Sequence, residues 1–435
     1  RIEGVVMSIN NSILKLLNMK DKNLNFTENF VEERNIKNRR SLVIKTFLDK
    51  NPNCCPKCGC VDNIKKNGTI TLKPIKIPSI SGLNSYLEIT KQLYKCNNCK
   101  HKITPQTDEV DYRCRISNNT KHSIIMFAKE TITYKFIAKL HNVSDKTVQR
   151  QVNKIYDKDK LYKNYIPINI CIDEFTWKKK TMAFNICDAE TGKTLDLVED
   201  RTTENLNKYF SYYLSENKLK VENVVMDMYK PYIKLVQDNF PNANIIIDMF
   251  HIVQLISRSL NKTRVQAMKK DKANYRKIKR YGKLLLKARL ELDCSKWRKF
   301  LCFKNLMTEV DVVDYILNEN EELKNTYDLY QNLLYALQRK DYILFKEMIG
   351  KEYSGISTYM QTSLNTLKEF SPYIKNTMEQ QYSNGVMERN NNTCKLIKRI
   401  GFGYRNFDNF KARILIITNL FRPAKKNAEN LLSTL

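Results

Sequence analysis

The stretch "NVVMDMYKPYIKLVQ", residues 223–237, joins an apolar run to a helix-like segment through one acidic residue. Val224, Val225 and Met226 have the character of a buried strand, and the residues after Asp227 carry apolar side chains at helical spacing. A carboxylate at the end of a buried strand costs free energy unless a cation compensates its charge or the position is exposed. The stretch predicts a strand–helix unit in which Asp227 is either a metal ligand or an ordinary surface acid.

Strand-like and helix-like segments alternate on both sides of this stretch. Strand patterns are present at "INICIDEFTW" (168–177), "MAFNICDAE" (182–190), "TLDLVED" (194–200) and "NIIIDMF" (244–250), and Thr202 or Thr203 is expected to cap a helix after the third. Residues from about 252 to 376 have a helical pattern without a convincing strand, and further helices are predicted at about 384–400 and 407–420. The alternation indicates a mixed α/β sheet, and the long helical block is typical of an insertion.

The composition favours a nucleic acid as partner. The chain has 435 residues, enough for two to four domains, and its 75 Lys and Arg residues against 46 Asp and Glu residues give a net charge of +29. A surplus of this size favours polyanions, although a Lys-, Asn- and Ile-rich composition also arises in an AT-rich genome. The sequence contains neither a run of about 18 apolar residues nor a secretory signal, so we expect no membrane partner and a cytoplasmic location.

Four of the twelve cysteines form two Cys-x-x-Cys pairs, Cys55 with Cys58 and Cys96 with Cys99. Each such turn presents two thiolates, and two turns complete a tetrahedral Zn²⁺ site of the closed, structural type. Two hairpin strands, at 75–80 and 86–94, are expected to bring the pairs together. The alternatives are a site that uses other nearby ligands, or loosely buried thiols without zinc; the other candidate ligands are Cys54, Cys60 and His101.

The segment "YKFIAKLHNVSDKTVQRQVNKI", residues 134–155, has the pattern of a helix-turn-helix. Phe136, Ile137 and Leu140 are expected to form the apolar face of the first helix. Asn142 suits a left-handed turn, and Ser144 suits the cap of the second helix. An ordinary helical hairpin is the alternative to a DNA-binding one. The exposed face of the second helix is predicted to contact phosphates and base edges in a major groove through Lys146, Gln149, Arg150 and Asn153.

Two further segments supply acids that would share a site with Asp227. Asp173 and Glu174 end another apolar run, but they point to opposite faces of a strand, and periodicity does not choose between them. Glu388 lies on the polar face of the helix predicted within "SNGVMERNNNTCKLIKRI" (383–400). Each acid by itself is more often a surface residue. Converging carboxylates of two strands and a helix would hold two Mg²⁺ ions for in-line phosphoryl displacement.

Taken together, these segments resemble the DDE transposases of the ISL-three family of bacterial insertion sequences. Besides the helix-turn-helix, the matching strings are "CPKCG" (55–59), "CNNC" (96–99), "IDEF" (172–175), "VVMDMYKPY" (224–232), "DMFHIVQ" (248–254), "SNGVMERNNN" (383–392) and "GFGYRNFDNFKAR" (401–413). They span about residues 50–415. One departure is Met228-Tyr229 after Asp227, where related sequences often have a basic or small residue.

The resemblance implies a fold and a set of site residues. The fold class is α/β, with a ribonuclease-H-like catalytic domain that contains an all-α insertion and follows a small zinc-binding domain and a helix-turn-helix. The implied catalytic and Mg²⁺-binding residues are Asp173, Asp227 and Glu388, which chooses Asp173 over Glu174, and Mn²⁺ is an expected substitute for the two Mg²⁺ ions. Trp297 is expected in the core rather than in contact with a base.

The string from Asp248 to His251 is similar to a D-x-x-H element that lies near the active site in several transposase groups. His251 would then contact a scissile phosphate or orient an acid, as an auxiliary catalytic residue with Asp248. A helix that begins with a capping Asp and carries a nearby His explains the same string without any catalytic role.

The implied function is the transposition of an insertion element. Water first cleaves a strand at the element end, and the freed 3′-hydroxyl then attacks target DNA without a covalent protein–DNA intermediate. The implied partners are double-stranded DNA, as terminal inverted repeats and as target, and at least one further copy of the chain, in the bacterial nucleoid. The alternatives are a catalytically inactive or domesticated DNA-binding regulator, and a metal-dependent nuclease that cleaves without joining.

The predicted domains follow from these assignments. They are an amino-terminal segment without assigned role (1–45), the zinc finger (46–105), the helix-turn-helix (106–162), the first part of the catalytic core (163–262), the all-helical insertion (263–376) and the last part of the core with its carboxy-terminal helix (377–435).

Overall fold

A computed structural model of the protein describes residues 10–156 and 165–418. The chain divides into two compact units: unit 1 contains Arg1–Leu161 and Leu396–Leu435, and unit 2 contains Tyr162–Lys395. The predicted domain limit at 162/163 lies outside the described residues. Within the described ranges, no helix has both the length and the apolar character that a membrane span requires.

Unit 1 begins with a seven-stranded sheet built around one long strand. Its strands are β1 Leu24–Asn25, β2 Val31–Ile36, β3 Arg39–Leu48, β4 Ile64–Thr71, β5 Ile75–Ile80, β6 Leu83–Cys96 and β7 Lys102–Ile103. β6 pairs in parallel with β3 and antiparallel with β4, β5 and β7. The apolar side chains of β3, β5 and β6 form one core with those of the helix at residues 10–16, α1.

This sheet includes the segment to which the sequence assigned no role. The predicted limit at 45/46 falls inside β3, and residues upstream of it, such as Leu24 and Ile44, are fully or almost fully buried in the sheet core. The predicted hairpin at 75–80 and 86–94 is present as β5 and β6. The pairing of β4 with β6 starts at Ile64 and Cys96, so it also brings the segment before β4 to the end of β6.

The remainder of unit 1 is helical, and it contains the segment that the sequence predicts to be a helix-turn-helix. Its helices are α2 Asn118–Ala128, α3 Tyr134–Leu140, α4 Asp145–Ile155 and α16 Phe407–Ile417. Ile137, Val148 and Val152 are fully buried, and they share a core with Ala412 and Leu415 of α16. The carboxy-terminal helix was predicted within the catalytic core, whereas the structure places it in unit 1, because its apolar face completes the core of the helix pair.

Unit 2 contains a five-stranded mixed sheet with the order β10-β9-β8-β11-β12. The strands are β8 Asn169–Lys178, β9 Thr181–Asp188, β10 Thr194–Val198, β11 Asn223–Met226 and β12 Asn244–Ile247. β8, β9 and β10 are antiparallel neighbours, and β11 and β12 continue the sheet in parallel with β8. The predicted α/β alternation is thus confirmed, including the end of β11 immediately before Asp227.

The helices of unit 2 cover the sheet and form the long block that follows it. They are α5 Thr203–Ser211, α6 Ser215–Lys218, α7 Lys230–Asn239, α8 Met249–Lys270, α9 Tyr275–Arg280, α10 Gly282–Leu285, α11 Glu309–Asn318, α12 Glu321–Gln338, α13 Tyr342–Gly350, α14 Thr358–Glu379 and the larger part of α15 Gly385–Ile400, whose last turn belongs to unit 1. α14 protects the edge strand β12, because the Thr377 hydroxyl accepts a hydrogen bond of 2.9 Å from the Ile247 amide and donates one of 2.8 Å to its carbonyl. The predicted insertion limits, 262/263 and 376/377, fall inside α8 and α14.

The helical block contains one element that the sequence pattern did not predict. Two short strands, β13 Arg298–Lys299 and β14 Leu306–Met307, form a hairpin. The prediction that Trp297 belongs to the core is wrong, because its side chain is 65% exposed beside this hairpin. Phe300 takes the core position instead, with its ring centroid 5.4 Å from that of Tyr281.

Candidate active site and nucleic-acid-binding elements

Three neighbouring parallel strands of unit 2 bring acidic residues close together: Asp173 lies within β8, Asp227 directly after β11 and Asp248 directly after β12. Cys171 of β8 pairs with Val225 of β11, so Asp173 and Asp227 each lie two residues beyond that pair. Met226 pairs with Ile247 of β12, so Asp248 lies one residue beyond, beside Asp227. The carboxyl ends of adjacent parallel strands are the usual place for a ligand site in an α/β sheet.

The helix that carries Glu388 is attached to these acids by two asparagines. Asn384 comes just before α15, and its Nδ2 donates a hydrogen bond of 3.1 Å to Asp227 Oδ1. Asn391 lies about two turns later, and its Nδ2 donates one of 2.6 Å to Asp173 Oδ2. Both asparagines are buried, whereas Glu388, one turn from each along the same face, is exposed. Three segments that are distant in sequence therefore converge.

The buried side of α15 explains why this arrangement is well defined. Met387 is completely buried against Cys171 of β8 and Val225 of β11. Asn185 of β9 donates a hydrogen bond of 2.9 Å from Nδ2 to Asn391 Oδ1. Because that contact occupies the amide oxygen of Asn391, the Nδ2 group of Asn391 must face Asp173. The sequence pattern predicted a polar face for this helix, but it gave no signal that Asn384 and Asn391 contact Asp227 and Asp173.

His251 and Asp248 join the same cluster from the start of α8. His251 Nε2 lies 3.1 Å from Asp227 Oδ1 and 3.9 Å from Asp248 Oδ2. The hydrogen bond to Asp227 raises the pKa of His251. Asp248 also accepts a hydrogen bond of 3.3 Å from the Phe250 amide, so it caps α8 as predicted. The cap is present together with the contact between His251 and Asp227.

The electrostatics of the cluster favour a cation. Burial raises the pKa of Asp173 to about 7, and the negative charge of Asp227 acts in the same direction. Burial likewise raises the pKa of Asp248, with the charges of Asp227 and Glu388 as smaller contributions. Carboxylates that crowd one another in this way are stabilised by a divalent cation, and hard cations such as Mg²⁺ prefer oxygen ligands. The Oδ1 atom of Asn384 is buried without a hydrogen-bond partner, and it is a further ligand atom of that type.

The structure also separates the two adjacent acids of β8. The Glu174 carboxylate accepts hydrogen bonds from Arg201 through Oε1 and from the Tyr232 hydroxyl, at 2.6 Å, through Oε2. Asp173 lies on the other side of the strand and accepts from Asn391. Arg201 and Tyr232 were not singled out from the sequence, which contains no local signal that they meet Glu174.

The four predicted zinc ligands of unit 1 lie together. Cys55 Sγ is 3.5 Å from Cys99 Sγ, and Cys58 Sγ is 3.7 Å from Cys96 Sγ. A tetrahedron with Zn–S bonds of about 2.3 Å requires S···S separations of about 3.8 Å, so the four thiols fit one zinc ion. Backbone N–H groups of Cys99 and Asn98 lower the pKa of Cys96 to about 6, which favours the thiolate that zinc requires. Cys54 is exposed and lies outside this group.

The helix pair of unit 1 has the predicted turn and cap. Asn142 has a φ of 50°, in the left-handed region, and the Ser144 hydroxyl accepts a hydrogen bond of 3.2 Å from the Thr147 amide. The predicted apolar face of α3 is wrong for Phe136 and Leu140, which are exposed, while Ile137 is buried. The four predicted DNA-contacting residues lie on the outer side of α4, where Lys146, Arg150 and Asn153 are exposed and Gln149 is half-buried.

Comparison with known proteins identifies the family of the chain. A sequence model of the ISL-three group of DDE transposases, described as transposase, matches residues 170–414. This match covers more than half of the 435 residues and contains all of the clustered acids described above. The chain therefore belongs to the ISL-three transposase family.

Two curated relatives match parts of the chain. The transposase for insertion sequence element IS1001 of Bordetella parapertussis is 25% identical over 256 residues, which are 56% of this chain and 59% of that protein. A protein of Lactococcus lactis subsp. lactis named ATP-dependent protease is 44% identical over 110 residues, which are 25% of this chain and 35% of that protein. The chain thus spans about three fifths of the length of the first relative and about a third of that of the second.

The string Gly192-Lys193-Thr194 has the residue types with which a nucleotide-binding P-loop ends. A phosphate-binding P-loop requires a glycine five residues before this glycine and a helix after the string. Position 187 is a cysteine, and the string connects β9 to β10. The Gly192 carbonyl accepts a hydrogen bond of 2.9 Å from Asn390 Nδ2, so the turn supports α15.

Proposed function

We propose that the protein is an active DDE transposase that cleaves DNA at the ends of an insertion element and joins the freed 3′-hydroxyl to target DNA. The catalytic residues in this proposal are Asp173, Asp227 and Glu388. Water is the nucleophile of the first step and the 3′-hydroxyl that of the second, so both reactions are phosphoryl displacements at one site. The proposal uses no tyrosine or serine nucleophile.

The convergence of Asp173, Asp227 and the helix of Glu388 carries this proposal. Asn384 connects α15 to Asp227, directly after β11, at 3.1 Å, and Asn391 connects it to Asp173, within β8, at 2.6 Å, on either side of Glu388. A DNA-binding regulator without catalytic activity has no need of crowded carboxylates, whose burial costs free energy. The arrangement is therefore better explained by catalysis than by binding alone.

The sheet topology supports a ribonuclease-H-like catalytic domain. Three antiparallel strands, β10, β9 and β8, are followed by parallel strands β11 and β12, with the first acid on β8 and the second after β11. The helical block from α8 to α14 separates the second acid from Glu388 in sequence, as an all-α insertion in such a domain does.

Divalent cations are part of the proposal. Two Mg²⁺ or Mn²⁺ ions bound by Asp173, Asp227 and Glu388 would stabilise the charge on the attacking and leaving oxygens. His251 holds Asp227 in place through the contact at 3.1 Å, and Asn391 does the same for Asp173. Asp248 and His251 are thus proposed as auxiliary residues that orient an acid.

DNA recognition is proposed for unit 1. The Cys55, Cys58, Cys96 and Cys99 site would hold a structural zinc ion, and α4 would enter a major groove with Lys146, Gln149, Arg150 and Asn153. The terminal inverted repeats are the proposed sequence-specific ligand. Pairing of two element ends would require at least two copies of the chain.

A strand-transfer assay tests the proposed function. The substrate is a labelled duplex with the DNA that flanks this reading frame, incubated with a target plasmid and Mg²⁺ or Mn²⁺. The proposal predicts that label becomes covalently joined to the plasmid. Labelled fragments that are cut but never joined would instead identify a nuclease, and binding without any cutting would favour the regulator.

A further inference from the structure

Phe402 has two features that folding does not explain. It is 94% exposed, the highest value among the large apolar side chains in residues 10–156 and 165–418. Its φ is 52°, in the left-handed region that bulky residues rarely adopt. Exposure of an aromatic ring and a strained backbone both cost free energy, and residues held in this way are concentrated at functional sites.

The end of α15 holds Phe402 in a defined turn. The amide of Phe402 donates a hydrogen bond of 3.0 Å to the Arg399 carbonyl, and the amide of Gly403 donates one of 3.0 Å to the Lys398 carbonyl. Gly403 has a φ of 87°, a conformation that glycine adopts without strain. The ring therefore projects from a hydrogen-bonded turn between two glycines.

Tyr404 fixes the other side of this turn. A methyl group at Gly401 would lie 2.6 Å from the Tyr404 ring, so only glycine permits the ring to pack there. The Tyr404 ring centroid is 5.0 Å from that of Phe410, whose side chain is fully buried in α16. The turn is thus attached to the core of unit 1, while Phe402 contributes nothing to that core.

Phe402 borders a groove that the proposed recognition helix shares. The groove has a volume of about 500 Å³, and its lining includes Lys146 and Gln149 of α4, Lys135 of α3, and Arg405. Asp145 is an acidic residue of the same lining, so the lining has a basic surplus. An exposed aromatic ring beside these cations fits a partner that carries many negative charges and has apolar surface between them.

We propose that Phe402 is an intercalating residue for the same DNA duplex that α4 contacts. With α4 in the major groove, Phe402 enters the adjacent minor groove and inserts between two base pairs, which unstacks that step and bends the duplex. This inference rests on the proposed DNA binding by α4. It assigns the "GFGY" turn at 401–404 to end recognition, in addition to the four residues of α4.

Site-specific fluorescence tests the insertion directly. Duplexes with the flanking DNA carry 2-aminopurine at successive positions in the region that the wild-type protein protects, since unstacking of this base raises its fluorescence. Wild-type protein should raise the signal at one step beside the α4 site. Phe402→Ala and Phe402→Asn should abolish that rise and weaken binding on the order of tenfold, whereas Phe402→Trp should retain both.

The variants separate the role of the ring from that of the backbone. Asn tolerates a positive φ better than Phe, so Phe402→Asn should fold at least as stably as the wild type. Leu290→Ala removes a side chain that is 88% exposed in unit 2, and it should change neither signal nor affinity. Phe402 makes no phosphate contact in this account, so its variants should leave the salt dependence of binding unchanged.

The results that overturn this inference differ from those that overturn DNA binding by α4. Wild-type affinity and fluorescence in Phe402→Asn would refute the insertion while leaving the role of α4 intact. Arg150→Ala should weaken binding and lower its salt slope by about 1; unchanged binding would refute the role of α4. Failure of the wild-type protein to bind any flanking duplex would refute both.

Discussion

The Asn391 side chain donates a hydrogen bond of 2.6 Å to Asp173 although 218 residues separate the two positions. Through this contact, the helix that carries Glu388 is aligned with the strand that carries the first acid. The amide is oriented by Asn185, which occupies its oxygen at 2.9 Å. A polar chain of three residues thus sets the relative position of two proposed metal-binding segments.

Asn391→Ala should therefore impair catalysis more than it impairs folding. It removes the donor that orients Asp173, and loss of such a supporting contact costs about 10- to 100-fold in metal affinity or activity. The measurement is the rate of strand nicking as a function of Mg²⁺ concentration. Asn392→Ala, at the exposed neighbouring position, is the control and should behave like the wild type. An unchanged Mg²⁺ requirement in Asn391→Ala would show that Asp173 needs no such support.

The zinc proposal predicts a metal that copurifies with the protein. Cys55→Ser combined with Cys96→Ser removes one thiolate from each pair, so the zinc content should fall from about one per chain to near zero, with a lower melting temperature. Elemental analysis and thermal unfolding measure the two effects. Cys294→Ser with Cys302→Ser changes two exposed cysteines of unit 2 and serves as the control. Zinc retained by the Cys55/Cys96 double variant would contradict the assignment.

Arg413 provides a test of the link between α16 and the segment that joins α2 to α3. The Arg413 residue is 2% exposed, and its guanidinium donates hydrogen bonds to three backbone carbonyls, those of Ala128, Glu130 (2.8 Å) and Ile132 (2.6 Å). Arg413→Met leaves these buried acceptors without a donor and should lower the free energy of unfolding by on the order of 3 kcal/mol. Urea unfolding measures the change. Arg399→Met, at an exposed position, should cost little; equal losses would show that the three contacts do not stabilise unit 1.

His141 predicts a specific pH dependence of stability. Burial lowers its pKa below the ordinary value of 6.5, and neither ring nitrogen has a hydrogen-bond partner. The unfolded chain therefore binds a proton at a pH at which the folded protein does not, so stability is lost as the pH falls below 6.5. When the pH is lowered from about 7.5 to about 5.5, the interval in which a histidine ordinarily titrates, the melting temperature of His141→Leu should fall less than that of the wild type. A full wild-type dependence in His141→Leu would assign it to other groups.

Local sequence patterns predicted the features that depend on local physics. The apolar run of β11, the acid that ends it, the left-handed Asn142 and the Ser144 cap each follow from residue types within a few positions. The choice between Asp173 and Glu174 does not, because alternation makes both equally plausible. Contacts with remote residues distinguish them: Asn391 meets Asp173, while Arg201 and Tyr232 meet Glu174.

Two of the incorrect predictions, those for α16 and Trp297, have the same origin. The apolar face of α16 is visible in the sequence, but its periodicity does not say which core it enters, and Ala412 and Leu415 pack with α2, α3 and α4. Trp297 was expected in the core on the general behaviour of tryptophan, yet a short hairpin places Phe300 there instead. Both errors concern tertiary partners, which helical and strand periods do not encode.

The proposed active site is tested by comparing the nicking of the flanking DNA by wild-type protein, Asp227→Asn and Glu388→Gln in Mg²⁺ or Mn²⁺. Each variant keeps the size of the side chain and removes its charge, so DNA binding should be unchanged while nicking and strand transfer fall by at least about 100-fold. That result would show that Asp227 and Glu388, from β11 and α15, act in one catalytic site. Equal nicking by all three proteins would show that neither carboxylate takes part in catalysis.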